Sequence, residues 1–334
     1  QYIMNKFSFF ATLVASLAVI PTACNMDDAN PDTSGKREIE INAQIVSGLP
    51  TKSTVSPKEN EVVVKSLQIF VFNEDGAIDG YTSEETNPAT VKVRCSPGKK
   101  HVYALVNAPN EVVETEEQLK KTVSRMEDNA DQKYIMVGSV NKEVNASSTV
   151  SIPVKRIAAR IVLDNVIRQF TSPALAAKKM DLVSIYAVNI CGDISYDLTS
   201  KPTIWYNKRK NESPAKISDL AFRAINKKDI ANGSTTSVGA YLYVYPNTTT
   251  DDSFAIEFGP RKTRLIAEFT IDGKTCYYPV TFEKLEANKT YTINNLTLTR
   301  PGSSDPDSKI SVEDCDFNIR VEDWEIGFSG DIQI

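Results

Sequence analysis

From residue 38 onward the chain repeats one pattern: short runs of β-branched and aromatic residues, many of them alternating apolar with polar, each closed by a turn signal. A period of two belongs to a strand with one buried face, whereas a helix would repeat every 3.6 residues. Ile39, Ile41, Ala43 and Ile45 alternate with Glu40, Asn42 and Gln44. Further strands are expected over Val62–Phe72 (closed by Asn73-Glu74-Asp75-Gly76), His101–Asn107, Tyr134–Val137, Thr149–Val154 and Ile157–Val166. Leu182–Ile190, Tyr241–Tyr245, Phe254–Phe258, Tyr291–Leu298 and Cys315–Val321 continue the series. Arg264–Val280 reads as a hairpin, because Asp272-Gly273 is the chemistry of a type I′ turn. Helix signals are confined to Glu114–Met126 and a short turn near Asp219–Asn226. Many short strands and few helices predict an all-β fold of antiparallel sandwiches. With 334 residues, two domains are expected. A break near Lys155-Arg156 gives 38–155 and 156–334.

Composition narrows the function classes. A net charge of −5 leaves no basic field for nucleic acid. The single histidine, His101, lies inside an apolar strand and reads as structural. Five cysteines without a CxxC write neither a zinc ribbon nor a redox motif. No nucleophile elbow, metalloprotease, phosphate-loop or dinucleotide motif occurs. The reading is therefore no enzyme, with catalytic residues none, metal none and cofactors none. Glu127–Asp131 lacks the glycine and distal glutamate of a calcium loop. Trp205-Tyr206 and Tyr241, Tyr243 and Tyr245 could line a sugar site, but strand cores and edges explain them more cheaply.

The amino end reads as an address. Met4 is the expected start, Lys6 supplies a positive charge, and Phe7–Ile20 is a fourteen-residue apolar run. Such a run is shorter than the roughly 20 residues of a membrane span and suits a signal peptide over 4–23. Pro21-Thr22-Ala23-Cys24 comes next, a lipobox-like ending that makes Cys24 the expected lipidation site. Acyl chains contribute ~0.8 kcal/mol per buried CH₂, so a multiply acylated cysteine anchors a chain firmly. Residues 24–37 are polar and acidic and read as a tether. Cys95, Cys191, Cys276 and Cys315 could pair three ways, but each stands in an apolar strand context where a buried free thiol is the plainer reading.

The two ends of the body carry the functional signal. After Trp324, Ile326, Phe328, Ile332 and Ile334 fall on one face with Gly330 between them, and Gly327, Ser329, Asp331 and Gln333 fall on the other. Something must cover that apolar face: either the chain's own sheet or the sheet of another molecule. The strand Ile39–Ile45 is succeeded by Ser47–Pro57, a small, polar, proline-bracketed loop with one basic residue, Lys52. That is the profile of a proteolytic site, with cleavage between Lys52 and Ser53. A cut there leaves the preceding strand held only by noncovalent contacts. Its departure opens an apolar groove between unpaired backbone edges, which a strand from another copy could fill. Head-to-tail filling does not close, and makes a filament.

The lipobox TAC, VVVKSLQIFVFNEDGAI, HVYALVNAP, SIPVKRIAARIVL, GKTCYYPV, KTYTINNLTLTRPGSSDPD and CDFNIRVEDWE occur in an order and spacing that resembles the Bacteroidetes fimbrillins, the FimA-type major subunits of the type V pilus. The resemblance implies two tandem transthyretin-like β-sandwich domains. It implies export as an outer-membrane lipoprotein precursor and cleavage in the loop after the first strand. It further implies polymerisation through a donor strand over 325–334. The family cuts after a basic residue, often arginine; Lys52 holds the matching place, while Arg37 precedes the strand and cutting there would not free the groove. The implied partners are other copies and related pilus subunits, the membrane before processing, and a trypsin-like protease. The implied location is the outer membrane and then the cell-surface fimbrium. The alternative is a monomeric surface lipoprotein or tip adhesin that binds a host ligand or glycan.

Overall fold

The computed structural model describes residues 39–47, 58–86, 88, 90–206, 219–253, 259–306 and 315–324. In the first half, strands β1 (Ile39–Ser47), β2 (Leu67–Asn73), β3 (Ile78–Glu84), β4 (Thr90–Cys95) and β5 (Gly98–Val106) precede the helix α1 (Glu116–Lys121). Strands β6 (Val123–Arg125), β7 (Met136–Val144) and β8 (Ser148–Arg156) come after it. All but β6 form a seven-stranded sheet in the order β3-β2-β5-β7-β8-β1-β4. The sheet curls until its two edges meet: a Cβ on Gly80 of β3 would lie 2.3 Å from the carbonyl oxygen of Arg94 on β4, so only glycine fits there. Its inner face holds one apolar cluster, from Ile41 and Ile69 to Val102 and Ile152.

The second half begins with β9 (Ala159–Arg168) and the short helix α2 (Pro173–Ala176). Strands β10 (Met180–Val188), β11 (Ile190–Cys191), β12 (Asp193–Ser195), β13 (Trp205–Tyr206), β14 (Phe222–Lys227) and β15 (Thr235–Val244) come next. Strands β16 (Arg264–Ile271), β17 (Lys274–Thr281), β18 (Lys289–Leu298) and β19 (Cys315–Asp323) complete it. Two four-stranded sheets, β14-β10-β16-β17 and β15-β9-β18-β19, face each other across a second core. Leu182 and Phe269 from one sheet meet Ile161, Leu242 and Ile293 from the other in that core.

The two halves share one plan. Strand β10 lies between β14 and β16, and β16 carries β17, as β2 lies between β3 and β5, and β5 carries β7. Strand β1 runs antiparallel to β4 and parallel to β8. Strand β9 likewise runs antiparallel to β15 and parallel to β18. The all-β sandwich expected from the sequence is the fold observed.

Several local expectations need correction. The strand expected over Val62–Phe72 starts only at Leu67, after a 3₁₀ turn at Glu59–Glu61. Asn107 is the reason: its Oδ1 accepts from Lys65 N at 2.7 Å and its Nδ2 donates to Val63 O at 2.8 Å, so a side chain satisfies backbone groups that a ladder would otherwise take. Tyr134 and Ile135 are excluded from β7 in the same way, because Asn107 Nδ2 donates to Tyr134 O and Asn129 Oδ1 accepts from Ile135 N. The helix expected over Glu114–Met126 spans only Glu116–Lys121. A capping box between Thr115 and Gln118 starts it, and extended Thr122 ends it. Val123–Arg125 then pair with β12 as a strand. Near Asp219 a 3₁₀ turn of three residues gives way to β14. The Arg264–Val280 hairpin forms as expected, with Asp272 and Gly273 at φ 48° and 76° and Ile271 opposite Lys274. The Phe254–Phe258 strand lies outside the described residues.

Candidate functional site: the slot of the first strand

Alternation in β1 places one row of side chains inward. Ile39, Ile41, Ala43 and Ile45 are all buried, and Ile41 and Ala43 completely so. The strand is not an edge but an interior member. Ile39–Gln44 pair with Cys95–Thr90 of β4, and Ile41–Ser47 pair with Ser148–Val154 of β8. Val91, Val93, Val150, Ile152 and Val154 share the cluster around the inward row. Burying three isoleucines stabilises by about 5–9 kcal/mol, at roughly 1.5–3 kcal/mol per large apolar side chain. On the outer face Glu40 reaches Lys92 at 2.9 Å. Without β1, the facing edges of β4 and β8 would lose every ladder bond they make to it, and the apolar floor would meet water.

The chain leaves β1 at Ser47 and re-enters the described structure at Lys58. Lys52 and Ser53 lie between, outside the described residues, as do Cys24, the 1–38 region and Ile326, Phe328, Ile332 and Ile334. Just past the point of re-entry, a fully buried polar cluster stands where the two halves meet. Glu61 and Arg160 pair at 2.7 Å with neither side chain exposed. Tyr243 Oη donates to Glu61 Oε1 at 2.6 Å, and Trp324 Nε1 donates to Glu61 Oε2 at 3.1 Å. Lys58 N donates to the same carboxylate at 2.8 Å. Burial alone would push the Glu61 carboxyl up, but Arg160, the Tyr243 hydroxyl and the Lys58 amide outweigh it and hold the group below its usual range. Burial, with the Glu61 charge beside it, pushes the Tyr243 phenol far up.

Arg156 joins this cluster from the other side of the backbone, donating from Nη2 to Glu61 O at 2.7 Å with its guanidinium carbon 4.3 Å from the Trp324 ring centroid. Tyr134 and Tyr243 pack against the same indole. Asn288 stitches the junction: its N–H donates to Ala158 O, its Oδ1 accepts from Arg156 N, and its carbonyl accepts from Trp324 N. The cluster thus grips the chain three residues after re-entry, at Glu61, and again at Trp324, the last described residue. Sequence reasoning missed it. The Lys155-Arg156 pair reads as a boundary, yet Arg156 and the linking residues Ile157 and Ala158 are all buried. The usable signal was a lone arginine, Arg160, inside an apolar strand, which rarely goes inside without a partner.

The other flagged residues fall into ordinary places. His101 is half-buried, with Nδ1 2.6 Å from Glu116 Oε2, in a group with Tyr103 and Lys120 that docks α1 onto β5. Cys95, Cys191 and Cys276 are free, buried thiols in three separate apolar clusters. Trp205, Tyr243 and Tyr245 are core residues, in line with the cheaper explanation of these aromatics. Tyr206 and Tyr241 are half-buried and line an open cleft of about 1080 Å³ with Lys58, Asn60, Asp131 and Arg223. Lys58 Nζ stands 3.3 Å from the Tyr241 ring centroid there.

Several solved structures share this architecture. A proposed cell adhesion protein from Bacteroides eggerthii DSM 20697 superposes with a TM-score of 0.67 at 16% identity, over 87% of this chain and 97% of that one. A fimbrilin (fimA) from Porphyromonas gingivalis W83 gives 0.58 at 16% identity, over 86% and 97%. At such identities the likeness establishes the fold. No curated protein matches the chain. The family model for the major fimbrial subunit protein (FimA) matches residues 49–160, a segment that runs from just past β1 through β8 to the start of β9. Over that segment the chain is similar to the major fimbrial subunit protein (FimA), and it shares its fold over most of its length with a fimbrilin.

Proposed function

We propose that this protein is a structural subunit of a cell-surface fimbrium that supports adhesion. It is exported as a precursor anchored in the outer membrane through Cys24. A trypsin-like protease cuts between Lys52 and Ser53. The cut leaves β1 on the lipidated fragment and the rest of the subunit free of it. Segment 325–334 of a second copy then fills the vacated slot, and repetition builds a head-to-tail fibre. Its partners are copies of itself and related fimbrial subunits. Its role is mechanical rather than catalytic.

One observation carries this reading. The four inward residues of β1 are all buried between two neighbouring strands, and in sequence Lys52 stands between this strand and the rest of the sheet. The expected anchoring energy of the incoming segment is at least that of the three buried isoleucines it replaces. Four large apolar side chains contribute about 6–12 kcal/mol before ordering costs.

The test uses purified precursor lacking the lipid. Limited trypsin treatment should release a body beginning at Ser53 and produce polymers visible by electron microscopy, while deletion of 325–334 should leave cut monomers. Polymer growth from uncut protein, or from the deletion, overturns the mechanism.

A further inference from the structure

We infer that segment 325–334 enters the slot in one register and one direction: antiparallel to the β1 it replaces, with Gly330 in the place of Ala43 and Asp331 opposite Lys92. The inference rests on the exchange proposed above and specifies it.

Size sets the register. The inward row of β1 reads large, large, small, large, as Ile39, Ile41, Ala43 and Ile45. Ala43 has Val91 as its partner on β4 and Val150 on β8, so the small residue sits where both walls carry a branched side chain. The inward row of the incoming segment, Ile326, Phe328, Gly330, Ile332 and Ile334, holds one small residue, third from either end. A slip of two residues would press Phe328 or Ile332 between those valines, and a filled core resists added volume. A slip of one would turn Ser329, Asp331 and Gln333 inward. Gly330 therefore fixes the register.

The inward row has the same size pattern in both directions, so direction rests on two other features. The outer face of β4 presents Lys92 and Arg94, and Asn42 of β1 stands opposite Lys92. Running opposite to β1, the segment puts Asp331 at the Asn42 position, with Lys92 across from it and Arg94 on the diagonal. Running with β1, it puts Ser329 there and leaves Asp331 opposite Thr90. Opposite charges across strands favour the first arrangement. Bulk agrees. The reversed segment places Phe328 at the Ile45 position, beyond the last residue that pairs with β4, whereas the other direction puts it at Ile41, with a strand on both sides, between Val93 and Ser148.

Paired cysteines read the geometry directly. Thr149 is exposed on β8 and is the partner of Asn42, so it should face Asp331 after exchange. Precursor carrying Thr149→Cys with Asp331→Cys is cut, allowed to polymerise, oxidised gently and run on a non-reducing gel. A ladder of covalently joined subunits is expected, with no ladder from Thr149→Cys paired with Ser329→Cys. Gly330→Leu, which changes nothing in the slot itself, should abolish polymers. A ladder from the Ser329 pair overturns the direction. Polymers that ladder with neither pair, or normal polymers from Gly330→Leu, overturn the register. If unmodified cut precursor forms no polymers at all, the exchange reading itself fails, and that outcome is distinct from the other two.

Discussion

The two halves hold their first strands in the same place by different means. Strands β1 and β9 each lie between one antiparallel and one parallel neighbour. Strand β1 offers its slot only apolar side chains, Ile39, Ile41, Ala43 and Ile45. Strand β9 adds two buried arginines. Arg160 binds Glu61 and donates from Nε to Thr290 Oγ1, and Arg168 donates to the carbonyls of Ile230 and Leu175. Apolar burial is non-directional, so any strand with the right sizes can satisfy it. A buried ion pair with shared hydrogen bonds accepts only its own partners. Size alone would therefore let another strand take the place of β1, as the proposed exchange requires, whereas a strand replacing β9 would also have to supply the partners of two buried arginines.

The largest expected effects test that contrast. Arg160→Ala would leave Glu61 buried and unpaired, and should cost about 3–5 kcal/mol of unfolding free energy by urea denaturation. The loss should be the same in the uncut protein and in the body beginning at Ser53, because the ion pair stays behind after the cut. Ile41→Ala empties a core position and should cost about 2–5 kcal/mol in the uncut protein. It should leave the cut body, once β1 is gone, unchanged. If Ile41→Ala still destabilises that body, or if Arg160→Ala is silent, the two strands are not held differently.

The sequence displayed one of these mechanisms and concealed the other, for a physical reason. Period-two alternation is a local property, so β1, β5, β8, β18 and the Asp272-Gly273 hairpin can be read from their own residues. The shared plan of the halves is a property of pairing, and sequences with no common period can share it. The Glu61 cluster joins residues 61, 160, 243 and 324, and no local window contains more than one of them. Asn107 helped shorten two strands by bonding the carbonyls of Val63 and Tyr134, 44 and 27 residues away in sequence, which a propensity reading cannot foresee. Of the candidate site, the inward row of β1 was legible. The fact that β1 is an interior strand, and parallel to β8, was not.

A middle-sized effect separates α1 from both strands. Burial alone would raise the Glu116 carboxyl, but Lys120, His101 and the Tyr103 hydroxyl bring it down to about 2 from 4.5. A depressed carboxyl contributes stability that is present above its unfolded value and lost as pH falls through the folded one. The drop corresponds to roughly 3 kcal/mol at neutral pH. Glu116→Gln should therefore cost about 1–3 kcal/mol at pH 7 and flatten the stability profile between pH 4.5 and 2, read by thermal melts. Since α1 docks on β5 rather than on β1, the effect should be the same before and after the cut.

The smallest effect sharpens the comparison most. Glu40 and Lys92 are 2.9 Å apart and largely exposed, so Glu40→Gln should cost only about 0.2–1 kcal/mol and vanish in high salt. It concerns the outer face of β1, where specificity rather than stability is at stake. If the inward row supplies nearly all the holding energy, the rate at which β1 leaves after the cut should change little on Glu40→Gln and rise by orders of magnitude on Ile41→Ala. Release can be tracked by the appearance of the fragment that carries β1 on size-exclusion chromatography. Comparable acceleration by both variants would mean that charges on the rim hold β1 as firmly as its core residues do. The slot would then discriminate among strands by charge as well as by size, and the distinction from β9 would be one of degree.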